Sequence, residues 1–398
     1  LNFVNFKTLN ITYGFLYGDE VLKQITVKVR TLLDSDDLFF RFDGDRFILV
    51  LEDYADQQEL RAFADKLMHI FEDPIIVGTE RQYVAVQIAI VEIKDRHTST
   101  DKILQDATLT LSHIKDSSTD QVAFFNEDME KRLLWQDKIV KVLREVIEGK
   151  DTESFYLEFQ PKLDLMKDKV IGFEALARLR IENLGQVAPD EFIALAEEKL
   201  LIYDVGNHIL LLACDFLKRL QDEGFHETSV AVNISGIQLL REDFVENLQQ
   251  KLFSSEKVKK PLEFEVTETV LLDHFSQINE TLEAIKKMDI AISLDDFGTG
   301  YSSFSRLAEL HIDTIKIDRF FIDKISHTAE KDLIISDVIS MAHKIGLNVV
   351  AEGVEDERQK AYLQKYGCDI IQGYLLSKPL PEESAINFLR RYESDLQQ

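Results

Sequence analysis

The chain has 398 residues, of which 45% are hydrophobic and 30% charged; it is long enough for two or three domains and unlike disordered, collagenous or disulfide-stapled proteins. Its 46 Lys and Arg against 72 Asp and Glu leave a formal charge of −26, which argues against unaided binding to nucleic acid or to an anionic membrane. No apolar run approaches the ~18 residues of a membrane span, and Cys214 and Cys368 form no CxxC pair, so a soluble protein of the reducing cytoplasm is predicted.

The sequence pattern of residues 1–125 predicts a small α/β domain. Asp43-Gly44 is a strong hairpin signal, so the sheet is expected to be mixed or antiparallel. Helical periodicity alternates with strand-like patterns. The predicted helices are 21–33, 58–71 and 103–114, and the predicted strands are 38–52, 81–93 and 122–125.

The sequence pattern of residues 126–150 predicts an amphipathic connector helix. Its apolar residues recur at steps of three and four between charged residues, and Gly149 supplies a stop signal. The apolar positions are Met129, Leu133, Ile139, Val140, Leu143, Val146 and Ile147.

Residues 151–398 alternate between strand and helix patterns over the roughly 250 residues typical of a (β/α)8 TIM-like barrel. This segment carries 27 basic and 45 acidic residues, a net charge of −18. If this segment acts on a phosphate compound, a bound divalent cation is the usual means of making the electrostatic potential at the site positive. The eight predicted strands are 155–165, 170–179, 229–234, 262–267, 290–295, 314–317, 348–351 and 370–374.

Seven of these strands carry an acid, amide or amine at or near their carboxyl ends, where barrel enzymes hold their chemistry. Adjacent Asp295 and Asp296 would repel each other unless a cation lay between them. An oxygen-rich set without cysteine suits two Mg²⁺ or Mn²⁺ ions, the usual equipment for phosphodiester hydrolysis. Lys316 would act in catalysis or, alternatively, form an ion pair with Asp318 or Asp295. The strand-end residues are Glu174, Asn233, Glu265, Asp295, Asp296, Lys316, Glu352 and Gln372.

The segment Phe173-Glu174-Ala175-Leu176-Ala177-Arg178 resembles the signature of the EAL family of cyclic di-GMP phosphodiesterases. The resemblance covers nearly all of residues 152–385, with Ile181 and Glu182 departing from a frequent His-Pro after the signature. It implies an EAL-type barrel whose first strand is reversed. The other matching motifs are VNIS at 232–235, EVTE at 265–268, LDDFGTGYSS at 294–303, KID at 316–318, AEGVE at 351–355 and QGY at 372–374.

The resemblance also implies roles for individual residues. One Mg²⁺ or Mn²⁺ ion would be held by Glu174, Asn233, Glu265 and Asp295, and a second by Asp295 and Asp296. Lys316 and Glu352 would position and deprotonate the attacking water, with Glu352 as the general base. Gln160, Arg178 and Gln372 would contact or support the cyclic dinucleotide. Glu268 would anchor the loop 297–303, which would shape the metal site and the face of a homodimer.

Residues 1–125 resemble, less completely, the GGDEF diguanylate cyclase domain, a nucleotide-cyclase palm fold. The match rests on Leu9-Asn10, Gly14, Gly18-Asp19, Arg41 and the turn FDGDRF at 42–47. The resemblance implies that the domain's beginning, and any sensor or membrane segment, would lie ahead of Leu1. Functional positions depart from the family: Asp43 replaces a turn glycine, Arg46 an acid, Asn2 a metal-binding aspartate and Phe15 a histidine. A guanidinium at the turn opposes metal binding, so this domain is expected to be inactive as a cyclase.

The sequence therefore predicts an EAL enzyme that hydrolyses cyclic di-GMP to linear pGpG, behind a degenerate GGDEF-like domain. The alternative is a non-catalytic receptor for cyclic di-GMP, although such receptors usually lose ligands and no matched ligand position is lost here. An enzyme for another cyclic dinucleotide stays open, because pocket shape selects the bases. The GGDEF-like domain would be a folding and dimer module or a regulator that binds GTP.

Overall fold

A computed structural model describes residues 1–33, 39–52, 54–116, 120–254, 261–268, 274–298, 304–326 and 333–395. The chain forms two compact units, Leu1–Asp137 and Lys138–Gln398, and each is described by itself. The predicted division into 1–125, 126–150 and 151–398 stays a prediction.

The first unit is a small α/β domain, as the sequence predicts. Its five-stranded sheet has the order β2-β3-β1-β6-β7, with a parallel β6–β7 pair and antiparallel pairs elsewhere, so the sheet is mixed. A separate hairpin joins β4 and β5. The elements are β1 (Asn2–Val4), α1 (Phe6–Tyr13), α2 (Phe15–Arg30), β2 (Phe39–Asp43), β3 (Arg46–Leu49), α3 (Gln57–His69), β4 (Ile75–Val77), β5 (Glu80–Gln82), β6 (Ala85–Ile90), α4 (Thr100–Asp116) and β7 (Val122–Phe124). Helix α5 (Glu127–Ile147) begins in this unit and continues past Asp137 into the second.

The strand-like stretch 38–52 is the β2–β3 hairpin that Asp43-Gly44 predicts, and Gly44 at its turn has a φ of +51°, which glycine adopts at little cost. Two other elements differ from their predicted bounds. Helix α2 begins at Phe15, six residues earlier than predicted. The prediction began too late because the exposed apolar residues Phe15 and Leu16 interrupt the amphipathic pattern in the first turn of the helix. The strand expected over 81–93 is divided between β5 and β6, and alternation alone does not mark such a break.

The second unit contains the remaining elements. They are β8 (Phe155–Asp164), β9 (Lys169–Ile181), β10 (Gly185–Val187), α6 (Pro189–Glu198), α7 (Ile202–Asp222), β11 (Ser229–Asn233), α8 (Gly236–Leu239), α9 (Phe244–Ser254), β12 (Leu262–Thr267), α10 (Phe275–Lys286), β13 (Ala291–Phe297), α11 (Phe304–Leu307), β14 (Thr314–Ile317), α12 (Arg319–Ile322), α13 (Ile335–Lys344), β15 (Asn348–Ala351), α14 (Glu357–Lys365), β16 (Ile370–Gln372), β17 (Leu380–Pro381) and α15 (Glu382–Asp395).

Eight of these strands close the predicted barrel in the order β8-β9-β11-β12-β13-β14-β15-β16, and β8 pairs with both β9 and β16. Strand β8 is antiparallel to both neighbours, whereas the other pairs around the barrel are parallel. The eight-stranded EAL-type barrel and its reversed first strand are therefore confirmed.

The barrel strands alternate between an outer face covered by helices and an inner face that leads to the site. On β11, Val230 and Val232 are fully buried, and the facing helix α7 buries an apolar stripe at helical spacing. Burying a large apolar side chain stabilises the fold by about 1.5–3 kcal/mol, so this apolar layer holds β11 against α7. Among the helices that the structure describes, none is long and apolar enough to span a membrane.

Candidate active site at the carboxyl ends of the barrel strands

Three strands bring carboxylates together inside the barrel. Glu174 on β9, Glu265 on β12 and Asp295 on β13 each offer an oxygen within 4.8 Å of the others. A second group, of the same spread, joins Asp295 to Asp296 and to Glu352, which follows β15. Asp295 belongs to both groups, so the two possible cation positions share one carboxylate.

Lys316 on β14 lies fully buried between the acids. Its Nζ is 2.6 Å from Glu265 Oε2, 2.7 Å from Glu352 Oε1 and 3.1 Å from Asp295 Oδ2. Burial lowers the pKa of Lys316, but the negative charges of the surrounding carboxylates raise it well above the ordinary value. Lys316 is therefore a permanent cation, and its ion pair with Asp295, one of the alternatives left open by the sequence, is present.

Side-chain amides hold Glu174 in place. Asn233, at the end of β11, donates to Glu174 Oε1 at 2.8 Å, and Gln372 on β16 donates to Oε2 at 2.5 Å. Gln372 also donates to Gln160 Oε1 at 3.0 Å, which links strand β8 to the cluster. Burial raises the pKa of Glu174, but the charge of Lys316 and these hydrogen bonds outweigh it and bring the pKa to about 2. Glu174 is thus held as an anion.

Three other acids of these groups, Glu352, Glu265 and Asp296, have raised pKa values. Burial, followed by the charges of Asp295 and Glu174, raises the pKa of Glu352 to about 8 although Lys316 opposes the shift. Burial and the neighbouring Glu174 likewise raise the pKa of Glu265. Burial and Asp295 raise that of Asp296, a residue in the left-handed region with a φ of +56°. A carboxyl that exchanges its proton near neutral pH is suited to general acid–base chemistry.

Two other predicted residues lie away from the carboxylates. Arg178 is four residues beyond Glu174 on β9, about 13 Å along the strand, and its Nε donates to Glu158 Oε2 at 2.7 Å. Glu268 follows β12, is 1% exposed and accepts the backbone N–H of Gly298 at 2.9 Å. Residues 299–303 of the loop that Glu268 is predicted to anchor lie outside the described residues.

Two further charged residues, Lys162 and Glu263, adjoin the site and were not predicted from the sequence. Lys162 on β8 is fully buried, and its Nζ is 2.6 Å from Glu263 Oε2 and 3.3 Å from Glu265 Oε1. Ser293 donates to the other oxygen of Glu263. A signal was present, because each of these residues stands two positions from a predicted site residue, Gln160, Glu265 or Asp295, and therefore shares its strand face.

The side chains of this region fit two divalent cations by charge and donor type. Six carboxyl groups, Glu174, Glu263, Glu265, Asp295, Asp296 and Glu352, face two ammonium groups, Lys162 and Lys316. Fully ionised, this set carries four excess negative charges, which two divalent cations would neutralise. The donors are oxygens, as Mg²⁺ and Mn²⁺ prefer. The buried Oε1 of Gln372 also accepts no hydrogen bond.

In the first unit, two departures from the cyclase pattern are neighbours. Asn2 on β1 pairs directly with Arg46 on β3, and Asn2 Nδ2 donates to Gln87 Oε1 at 3.0 Å. An amide and a guanidinium thus stand together where the GGDEF resemblance expects acids. Phe15, at the expected histidine position, is 79% exposed.

Comparison with known proteins agrees with both resemblances. The family model of the EAL domain matches residues 142–379, and that of the diguanylate cyclase GGDEF domain matches residues 1–121. The cyclic di-GMP phosphodiesterase NbdA of Pseudomonas aeruginosa is 33% identical over 395 residues, covering 99% of this chain and 50% of NbdA. The cyclic di-GMP phosphodiesterase PdeR of Escherichia coli is 30% identical, covering 98% of this chain and 58% of PdeR. The chain thus spans about half the length of these relatives.

A solved structure is also similar. The PaMucR phosphodiesterase in complex with c-di-GMP has a TM-score of 0.58 and 34% identity, covering 62% of this chain and 99% of that one. The EAL match includes the strands that carry the acidic cluster. The chain therefore belongs to the EAL domain family and carries a GGDEF domain ahead of its EAL domain.

Proposed function

We propose that this protein hydrolyses one phosphodiester bond of cyclic di-GMP to give linear pGpG. The observation that carries the proposal is the pair of acidic groups that share Asp295 around the buried Lys316. Relatives that span the same two domains are named cyclic di-GMP phosphodiesterases, and a similar EAL structure is a c-di-GMP complex. No predicted ligand position is substituted, which favours an enzyme over a receptor.

The proposed residue roles follow the arrangement of the side chains. Glu174, Asn233, Glu265 and Asp295 would hold one Mg²⁺ or Mn²⁺ ion, and Asp295 with Asp296 a second. When bound, these ions supply activation of the attacking water and neutralise charge on the leaving oxygen.

The chain's own groups would complete the reaction. Glu352 would take the proton of the attacking water when it is ionised, and with a pKa of about 8 it can gain and lose a proton close to neutral pH. Lys316 keeps Glu352 oriented and adds positive charge beside the reacting phosphate. Gln160 and Gln372 orient the dinucleotide, and Arg178 pairs with its phosphate after leaving Glu158.

We further propose that the GGDEF domain makes no cyclic di-GMP, since Arg46 and Asn2 stand where acids are expected. It would serve as a folding and dimer module or as a regulator that binds GTP. The EAL resemblance also supports a homodimer through the EAL domain, and the use of only two cysteines without a CxxC pair supports a place in the reducing cytoplasm.

The deciding experiment is incubation of the purified chain with cyclic di-GMP and Mg²⁺ or Mn²⁺, followed by chromatography of the products. We expect linear pGpG, and we expect its formation to stop when a chelator exceeds the divalent ion. Full turnover in excess chelator would contradict the two-cation site. Binding of cyclic di-GMP without hydrolysis would favour the receptor alternative, and faster hydrolysis of another cyclic dinucleotide would correct the substrate.

A further inference from the structure

A second buried lysine lies within the barrel, next to the proposed cation site. Lys162 is 2% exposed, and the two carboxylates that it contacts, Glu263 and Glu265, stand on the same face of β12. An unpaired ammonium at such a place would be very costly, so its position must be compensated by these acids.

The two oxygens of Glu265 are held by different lysines. Oε1 is 3.3 Å from Lys162 Nζ, and Oε2 is 2.6 Å from Lys316 Nζ. Glu265 itself is completely buried. A carboxylate with a charged hydrogen-bond donor on each oxygen has little freedom to rotate, and second partners of this kind commonly orient metal ligands.

Glu263 in turn holds Lys162. Its Oε2 accepts from Lys162 Nζ at 2.6 Å, while its Oε1 accepts from the buried hydroxyl of Ser293. The chain of contacts therefore runs from Ser293 through Glu263 and Lys162 to Glu265. Glu263 stands two positions before Glu265 on β12, and Ser293 stands two positions before Asp295 on β13. Both residues therefore share a strand face with the acidic cluster and lie one step deeper in the barrel.

We propose that Lys162 is a positioning residue that fixes the orientation of Glu265 as a cation ligand, and that Glu263 and Ser293 hold Lys162 in place. This inference rests on the proposed function, because it takes Glu265 to be a ligand. Lys162 does not contact substrate in this account. Its loss weakens cation binding through Glu265 while the other ligands keep their own partners.

The test compares two variants of the full chain. Glu263→Gln keeps Lys162 on Glu265, whereas Lys162→Met/Glu263→Gln removes the lysine together with one acid and so leaves the buried charge balanced. The single Lys162→Met variant is less suitable, because it leaves Glu263 buried without its cation. Thermal unfolding checks that both variants fold, and the electron paramagnetic resonance signal of free Mn²⁺ measures cation binding without any substrate.

We expect the double variant to bind Mn²⁺ about 10- to 100-fold more weakly than wild type, the usual cost of losing an outer partner of a ligand. Glu263→Gln keeps an amide oxygen that can still accept from Lys162, so its Mn²⁺ affinity should lie between those of wild type and the double variant. Half-maximal hydrolysis should need correspondingly more Mn²⁺ in the double variant, with a smaller change in kcat at saturating Mn²⁺.

Equal Mn²⁺ affinity in a folded double variant and in Glu263→Gln would overturn the inference, even if wild type hydrolyses cyclic di-GMP normally. A double variant that fails to fold would also overturn it, since Lys162 would then serve the fold. If wild type neither binds Mn²⁺ nor hydrolyses cyclic di-GMP, the proposed function fails and the inference fails with it.

Discussion

At the scale of single residues, the site is a balance of buried charges. Lys316 contacts three carboxylates at 2.6–3.1 Å, and burial strengthens each of these interactions by excluding water. The consequences differ between neighbouring acids, because Glu174 has a pKa of about 2 and Glu352 one of about 8. Opposite pKa shifts in acids of the same cluster support the different roles proposed for them, Glu174 as an anionic ligand and Glu352 as a proton acceptor.

Replacing Glu352 with Gln tests the second role. The amide keeps the size of the side chain but cannot take a proton from water, so we expect kcat to fall by about 10² or more. Binding of cyclic di-GMP by this slow variant, measured by calorimetry in the presence of Mg²⁺, should persist. Glu357→Gln is the matched control, because Glu357 is exposed in the first turn of α14. Loss of dinucleotide binding in Glu352→Gln would show that Glu352 acts mainly as a ligand.

At the scale of elements, apolar strands ending in polar residues allowed the barrel strands to be placed from sequence. The predicted strand 314–317 coincides with β14, and 348–351 with β15. The direction of a strand does not change its pattern of apolar and polar residues, so only the family resemblance predicted that β8 is reversed. Lys162 was missed for a related reason: a lysine inside an apolar strand is normally taken as solvated, and the acids that compensate it lie about 100 residues later in the chain.

The turn between β15 and α14 carries Glu352 and is fixed by a helix cap. Asp356 accepts the N–H of Gln359 at 2.8 Å, and Gln359 Oε1 accepts the N–H groups of Glu355 and Asp356 at 2.6 and 3.2 Å. The reciprocal bonds satisfy backbone donors at the helix start. The same Asp356 also accepts from Ser326 at 2.8 Å, which ties the turn to the 3-10 helix Asp323–Ser326 that follows α12.

Replacing Asp356 with Ala should therefore destabilise the protein by about 1 kcal/mol. In a domain of this size that loss corresponds to a decrease in Tm of about 2–4 °C, measurable by calorimetry. Asp356→Asn is the control, because asparagine caps helices about as well as aspartate. An equal decrease in both variants would mean that the charge of Asp356, rather than its cap, provides the stability.

At the scale of the whole molecule, net charge alone would oppose a phosphate ligand. Residues 151–398 carry a net charge of −18, yet their proposed substrate is an anion. Salt limits this repulsion to about 8 Å under physiological conditions, so the groups next to the phosphate decide binding. In the proposed arrangement these groups would be the bound cations, Lys316 and Arg178, and the acids farther away would have little effect. The sequence could give the total charge but not the local arrangement that overcomes it.

The GGDEF domain is expected to be unable to synthesise cyclic di-GMP. We expect no cyclic di-GMP from GTP and Mg²⁺, because Arg46 adds a cation beside Asn2, where a metal-binding acid is expected. Arg46→Glu alone should not create a cyclase, since Asn2 and the altered turn at Asp43 remain. The measurement is chromatography of GTP reactions with wild type and Arg46→Glu. Any cyclic di-GMP from wild type would show that this domain is an active cyclase.

GTP binding separates the two roles left to this domain. A regulator must bind GTP with different affinity in two conformations, and only then can GTP change the hydrolysis rate. Calorimetric titration with GTP should therefore be run beside hydrolysis assays at the same GTP concentrations. Binding together with a changed rate of pGpG formation would establish regulation. Binding without a rate change, or no binding, would leave the folding and dimer role, because a ligand that favours neither conformation shifts no equilibrium.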